Sequence, residues 1–518
     1  MSRAESAGDG YDHVVAAPVV VILAAGQGTR MRSDVQKLLH PLCGRPIIEW
    51  PIAAAKEAGA GKIVVVDSPE RRLESVAGDG VVLAVQERPL GTADAVRAAL
   101  GEIEDSDTVI VLTGDAPLIR PESLTALLDA HRQSGAAATI ATMVLDDPGG
   151  YGRVVRAPDG TVERVVETKA AGDATELELH IREVNTGMFA FEGGPLITAL
   201  SEVRGDNAQG EHYLPDVLPV LRRHERTVGA LELSDPSELL GINDRRQLAD
   251  VAAIAQRQIH DRLMLAGVTI VNPAATVIDH GVTVGRDTVV APFTSLHGTT
   301  SIGERCSIGP GTTMIDTEVG DESKVLHSYV TEAIVGDRVS VGPFAYLRPG
   351  TVMREGSKAG TFVEIKNSDV GRGTKVPHLS YIGDAEIGEG TNLGASTITA
   401  NYDGYRKNRT TIGHRVKTSV HTTLVAPVTV GDDAYTAAGS VITTEVPPGA
   451  LGVARARQTN IAGYAERRRE RAEAEKNDAS HTAAEKNDGA HAAESGGNSA
   501  RGVDSAPDES PAKSGESR

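Results

Sequence analysis

An apolar stretch, Val19–Leu23, runs into Ala24-Ala25-Gly26-Gln27-Gly28-Thr29-Arg30-Met31, with Lys37 close behind. Glycines after a strand let backbone N–H groups approach phosphate oxygens. Arg30 and Lys37 put cations beside that loop, which suits a triphosphate. The loop is not a Walker A, since no Gly-Lys-Ser/Thr follows. Met31 also stands where a dinucleotide fingerprint needs its third glycine. Taken alone, the run reads equally as a tight turn. A later apolar run ends in Thr113-Gly114-Asp115. A carboxylate at the carboxyl end of a parallel strand sits where open α/β sheets bind ligands. Facing a triphosphate, Asp115 suits Mg2+, which takes few protein oxygens and keeps waters. The competing reading of Asp115 is a turn cap before Ala116-Pro117.

A second set lies further along. It comprises Arg348, Lys366, the run Lys375–Asp384 containing His378 and Tyr381, then Asn392 and Lys407. A lone histidine is usually a surface or structural residue. His378, however, has cations near it that suit a phosphorylated ligand, and an imidazole can accept a proton.

These residues need elements to position them. Residues 17–242 alternate strand-like runs (PVVVILAAG, KIVVVD, VVLAVQ, DTVIVLTGD) with helix-like ones (RPIIEWPIAAAKEAGA, TADAVRAALGEI, RPESLTALLDAHRQSG). That alternation predicts an α/β domain with a mostly parallel sheet. Leu248, Val251, Ala255, Ile259 and Leu263 then recur at helical spacing, which predicts a connecting helix over 243–267. Asn243 and Asp244 can cap its start, and Gly267 can end it. From 268 to 465 an aliphatic-Gly pair recurs at multiples of six, as at Val284-Gly285, Ile302-Gly303 and Ile308-Gly309. Hexapeptide repeats predict a parallel β-helix with one inward side chain per six residues. Interruptions are expected at Leu347–Asp369 and Thr399–Thr411, and loops leaving a rigid scaffold often carry sites. Residues 1–16 and 466–518 read as a disordered leader and tail.

The chain has 518 residues, 52 Lys plus Arg against 71 Asp plus Glu, and a formal charge of −19. That balance argues against nucleic acid as partner. Two cysteines, Cys43 and Cys306, exclude a disulfide scaffold and a four-Cys zinc site. No apolar run is long enough to span a bilayer, and Glu5, Asp9 and Asp12 do not suit a signal peptide. A cytoplasmic protein is expected.

LAAGQGTRM, Lys37, Gln86, Leu90-Gly91-Thr92, TGDAPL, GYGR at 150–153, Glu167, Asn185-Thr186-Gly187 and Gly241-Ile242-Asn243 together resemble the sugar-phosphate nucleotidylyltransferases. With the hexapeptide domain, NAQGE at 207–211 and TITANYDG at 397–404, the chain from Val19 to Tyr464 resembles one family among them. These are the bifunctional N-acetylglucosamine-1-phosphate uridyltransferase/glucosamine-1-phosphate acetyltransferases. The resemblance implies a left-handed β-helix, a homotrimer, and UTP, acetyl-CoA and Mg2+ as reactants and cofactor. It implies that Leu23, Ala24, Ala25, Gly26, Gln86, Gly91 and Thr92 hold uridine, with Thr113 and Gly114 beside them. Arg30 and Lys37 would meet the phosphates, Gly152, Glu167 and Asn185 the sugar, and Asp115 and Asn243 the metal. His378 would be the base of acetyl transfer. Arg348, Lys366, Tyr381, Asn392 and Lys407 would hold the amino-sugar phosphate. Ala395, Asn401, Tyr402, Ala438 and Arg455 would hold the coenzyme.

The chain departs from the family pattern at Val420, where a serine hydroxyl is usual, with Ser419 beside it. It departs also at His212, Pro215, Thr361 and Thr113. Two other readings compete with the bifunctional one. One is a nucleotidylyltransferase whose β-helix only oligomerises or regulates, which would not need His378, Tyr381 or Asn401–Gly404. The other is a non-catalytic binding module, against which Asp115, Lys37 and Arg30 argue.

Overall fold

The computed structural model describes residues 16–168, 173–205 and 210–492. The expected leader up to residue 15, most of NAQGE and residues 493–518 lie outside the described residues. The described residues fall into two compact units that part between Ala454 and Arg455.

The four apolar runs become β1 (Val19–Leu23), β2 (Lys62–Asp67), β3 (Val81–Val85) and β4 (Thr108–Thr113). They are joined by β5 (Ala138–Val144), β6 (Glu183–Glu192) and β7 (Val228–Glu232) in the order β7-β5-β6-β4-β1-β2-β3. All neighbours are parallel except β6, which runs antiparallel to β4 and β5. Continuous Val/Ile runs suit strands covered on both faces. Ile22, Val65 and Ile110 face one apolar layer, and Val21, Val64 and Val111 the other. The expected helices form as α1 (Glu49–Glu57), α2 (Thr92–Ala98) and α3 (Pro121–Ser134). Leu23 pairs with Val66 on one side and Thr113 on the other. The glycine loop and Asp115 therefore leave the sheet at one edge.

The connecting helix is α4 (Arg245–Leu265). Asp244 caps it, accepting from the N–H groups of Arg246 and Gln247 at 2.9 Å. Its buried face is Val251, Ala255, Ile259 and Leu263. Gln256 grips the β-helix, with Nε2 donating to the Ile278 carbonyl (2.6 Å) and Oε1 accepting from the Ile278 N–H (2.9 Å). A turn from the α/β domain meets the same coil. Cys43 packs against both cores, and its carbonyl accepts from the His280 N–H. Gly44 presses on Asp279 so closely that a Cβ there would collide with its carboxylate. Trp50 meets the His280 ring edge-on at 4.9 Å. Burial, with Arg45 and Arg262 nearby, pushes the His280 imidazole down to about 4.

Beyond Gly267 the chain winds into three parallel sheets of two- to four-residue strands. One inward row reads Ile278, Leu296, Met314, Val330, Leu347, Ile365, Ile382, all fully buried. Buried hydroxyls tie coil to coil at the corners. Thr374 donates to the Gly388 carbonyl and accepts from the Thr391 N–H. Thr391 repeats the pattern with Gly413 and Val416. The expected break at Leu347–Asp369 is corrected: strands there stay in register, as in Ile334 with Val352 and Ser340 with Lys358. Met353 and Ala359 fill the inward places in that coil, so the aliphatic-Gly signature fades while the winding continues. The break at Thr399–Thr411 is present as a loop, closed by the Asn408 N–H on the Asn401 carbonyl.

In the second unit, a helix α5 (Tyr464–Ala492) stands where the sequence suggests a disordered tail from 466. Ala, Glu, Arg and Lys dominate it, and these are strong helix formers. It has no apolar stripe, and Tyr464–His481 is exposed throughout. Among the described residues no helix is long and apolar enough to cross a membrane.

Candidate active sites

A cavity of about 390 Å³ opens at the carboxyl edge of the sheet. Of the residues singled out above, it is lined by Leu23, Ala24, Ala25, Gly26, Lys37, Gln86, Gly91, Thr92, Thr113, Asp115, Glu167 and Asn185. The glycines have distinct jobs. Gly26 has open space before it, whereas a Cβ on Gly28 would collide with Lys37. A Cβ on Gly91 would collide with the His212 carbonyl, and the Ala93 N–H donates to that same oxygen. Gly152 stays outside the cavity lining, but its carbonyl accepts from the Asn185 N–H. Gly114 likewise lies behind the wall, donating its N–H to the Leu23 carbonyl.

Lys37 is buried, and its Nζ lies 2.6 Å from Asp115 Oδ2. Arg30 does not line the cavity. It donates to Asn243 Oδ1 at 2.8 Å. Asp115 Oδ1 and Asn243 Nδ2 both lie 3.8 Å from where a Cβ on Gly241 would stand, so the two side chains converge. Among the described residues no group of three or more His, Cys, Asp or Glu could cage a metal. One carboxylate beside one amide leaves most positions to phosphates and water, which is how Mg2+ binds.

The other end of the cavity holds Glu167, Glu211 and Tyr213. Burial, and then the negative charge of Glu211 and its neighbours, pushes the Tyr213 hydroxyl up to about 12. Burial and the Glu167 charge also raise the Asp216 carboxyl. Sequence reasoning missed Leu38, Pro89, Phe189, Tyr213 and Leu214 in this wall. They are apolar or aromatic residues with no spacing signal.

On the β-helix, a Cβ on Gly383 would lie 2.6 Å from both the Tyr381 hydroxyl oxygen and Asn401 Nδ2. The missing side chain lets those groups meet. Asn401 and Asn367 both donate to Asp384. Burial would raise the Asp384 carboxyl, but these bonds and the Lys366 and Lys407 charges hold it below the usual range. Lys407, beside Lys366, has its ammonium pushed down by that neighbour. Arg348 pairs with Glu364 at 2.8 Å and stands over the Tyr346 ring.

His378 is exposed at the end of strand Lys375–His378, one corner from Tyr381. Asn392 bridges to Lys375 on that same face. Ala395, Val420 and Ala438 stack down one corner: the His421 N–H donates to the Ala395 carbonyl, and the Gly439 N–H to the Val420 carbonyl. Val420 is 46% exposed and offers this column a methyl surface instead of a hydroxyl. The Ser419 N–H is spent on Thr436 Oγ1. Tyr402 is exposed on the loop, its hydroxyl donating to the Gly404 carbonyl. Arg455 is exposed in the second unit.

Residues 20–178 match the MobA-like NTP transferase domain family. Over 460 residues the chain is 47% identical to the bifunctional protein GlmU of Mycobacterium marinum, covering 87% of this chain and 93% of that protein. It is 48% identical over 459 residues to the same-named protein of Corynebacterium efficiens, covering 87% and 94%. The Mycobacterium tuberculosis protein of that name matches at 46% over 460 residues, covering 87% and 92%. At this identity and span, with a nucleotidyltransferase domain followed by a hexapeptide β-helix, the chain belongs to the family of bifunctional GlmU proteins.

Proposed function

We propose that the chain makes UDP-N-acetylglucosamine in two steps on two domains. In the first, the amine of glucosamine 1-phosphate attacks the thioester carbonyl of acetyl-CoA. His378 takes the amine proton, and the thiol of coenzyme A leaves. Lys366, Lys407, Arg348, Tyr381 and Asn392 hold the sugar phosphate. Two ammonium groups facing each other, as Lys366 and Lys407 do, are relieved by a bound dianion. Ala395, Asn401, Tyr402, Ala438 and Arg455 contact the coenzyme.

In the second step, a phosphate oxygen of N-acetylglucosamine 1-phosphate attacks the α-phosphorus of UTP, and pyrophosphate leaves. This chemistry needs alignment and charge neutralisation rather than a protein nucleophile. Gln86, Gly91 and Thr92 hold the base. Glu167, Asn185 and Gly152 hold the sugar, and Arg30 and Lys37 meet the phosphates. Mg2+ held by Asp115 and Asn243 supplies charge neutralisation at the phosphates. The domain limits belong to this reading: an α/β domain over 17–242, a linker helix over 243–267, and a β-helix domain over 268–465 whose last strand is Leu451–Gly452.

The carrying observation is the cavity that gathers twelve of the residues expected at the nucleotide site. The identity to bifunctional proteins across both domains supports two activities rather than a β-helix that only oligomerises. The exposed column Phe344, Phe362 and Leu379, one per successive coil, supports trimer assembly through the β-helix. UTP and acetyl-CoA as co-substrates favour the cytoplasm.

The test supplies acetyl-CoA and glucosamine 1-phosphate without UTP and follows free thiol and product mass. Wild-type protein should give N-acetylglucosamine 1-phosphate. His378→Ala should lose about 10²- to 10⁴-fold of that rate, with pyrophosphate release from UTP unchanged. No thiol from folded wild type would leave only the uridyltransferase, with Val420 the first residue to revert to serine.

A further inference from the structure

Gln86 follows strand β3, and its side chain enters the first cavity. Its terminal nitrogen donates to the Gly91 carbonyl and to Asp94 Oδ2, each at 3.0 Å. Both partners can only accept. The amide atom facing them is therefore Nε2, because an oxygen there would meet two lone-pair partners. Both hydrogens of that nitrogen are committed. Oε1 is the amide's other polar atom, and it too can only accept.

Asp94 sits in the first turn of α2 and is itself held. Its Oδ1 lies 3.9 Å from Arg97 NH1. Arg97 is anchored by the Leu200 and Val203 carbonyls and by His212 Nδ1. Neither Asp94 nor Arg97 is among the site residues assigned above.

We propose that Asp94 is a positioning residue that locks the Gln86 amide so that the nucleotide site accepts uracil and rejects cytosine. The proposal rests on the uridylyl-transfer reading and deepens it. N3 of uracil carries a hydrogen that Oε1 can accept, whereas N3 of cytosine carries a lone pair that would face another. Turning the amide over would serve cytosine, but it would aim Oε1 at the Asp94 carboxylate and the Gly91 carbonyl. A buried site built to pair one group discriminates strongly against an analogue lacking it.

Asp94→Asn tests this, since asparagine can donate to a reversed Gln86 as well as accept from the present one, which leaves the Gly91 carbonyl as the remaining group opposing the reversal. The readouts are kcat and KM for pyrophosphate release from UTP and from CTP, with binding of each nucleotide by calorimetry. Wild type should favour UTP strongly. Asp94→Asn should lose about tenfold or more of that preference, through KM and binding rather than kcat. Acetyl transfer should not change, and the retained kcat for pyrophosphate release from UTP certifies the fold of the α/β domain. Asp94→Glu, which keeps an acceptor, should retain the preference for UTP. If Asp94→Asn does not fold, Asp94→Ser carries the same expectation. An Asn or Ser variant with the wild-type preference and intact acetyl transfer would overturn the role of Asp94. Wild type that neither turns over nor binds UTP would instead overturn the uridylyl reading, and the inference with it.

Discussion

A buried ammonium persists only with a partner, and Asp115 provides one for Lys37 at 2.6 Å. The same lysine lines the cavity at the carboxyl edge of the sheet, and it fits there because Gly28 carries no side chain. Lys37→Met should therefore lower uridylyl transfer by about 10²-fold or more and leave acetyl transfer intact, as steady-state pyrophosphate and thiol assays would show. Asp384 has a different signature. Its carboxyl is held below the ordinary value, so its ionised form favours the fold above about pH 4. That contribution is lost as pH falls through the lowered value. Thermal melts between pH 6 and pH 3 should show wild type losing more stability than Asp384→Asn over the acid end. Equal slopes would mean the bonds from Asn367 and Asn401 carry no net preference for the charged form.

At the scale of elements, the corner hydroxyls join one coil to the next. Thr391→Val removes a donor to the Gly413 carbonyl and an acceptor for the Val416 N–H, both inside the β-helix. Denaturant unfolding should show a loss of about 1–3 kcal/mol. A loss within a few tenths would mean water takes the place of the hydroxyl. The β-helix was legible in the sequence because each short strand must send one aliphatic side chain inward at a fixed interval. It became illegible from 347 to 369, where the inward Leu347, Met353 and Ile365 are followed by Arg348, Arg354 and Lys366 instead of glycine. The four parallel strands behind the first cavity were legible as apolar Val/Ile-rich runs. Tyr213, Phe189 and Leu214 were not, because a cavity wall assembled from distant segments leaves no periodicity. Asp94 and Arg97 escaped for a related reason. On the helix they are two polar residues three apart, and only the fold brings Gln86 to one and His212 to the other. The helix at 464–492 was not legible, because its polar composition and repeated AEKND read as a disordered tail.

For the whole molecule, the two sites lie on separate elements, and the product of one is the substrate of the other. Neither Lys37→Met nor His378→Ala alone should convert glucosamine 1-phosphate to the UDP-sugar. Mixed as separate proteins, they should restore the conversion, read by mass with UTP and acetyl-CoA both present. Failure of the mixture, with each remaining activity intact, would mean the intermediate does not diffuse freely. Deleting residues after Gly463 should leave both activities, and loss of both in a folded truncation would contradict that. The turn at Cys43-Gly44 bears on a separate matter, the exchange of parts between proteins. Its fit against Asp279 and His280 is keyed to the first coil. A chimera that joined this α/β half to a foreign β-helix within α4 would separate the turn from its mate. The unit of recombination is therefore the α/β half together with α4 and that first coil, and the coils beyond it are the interchangeable ones.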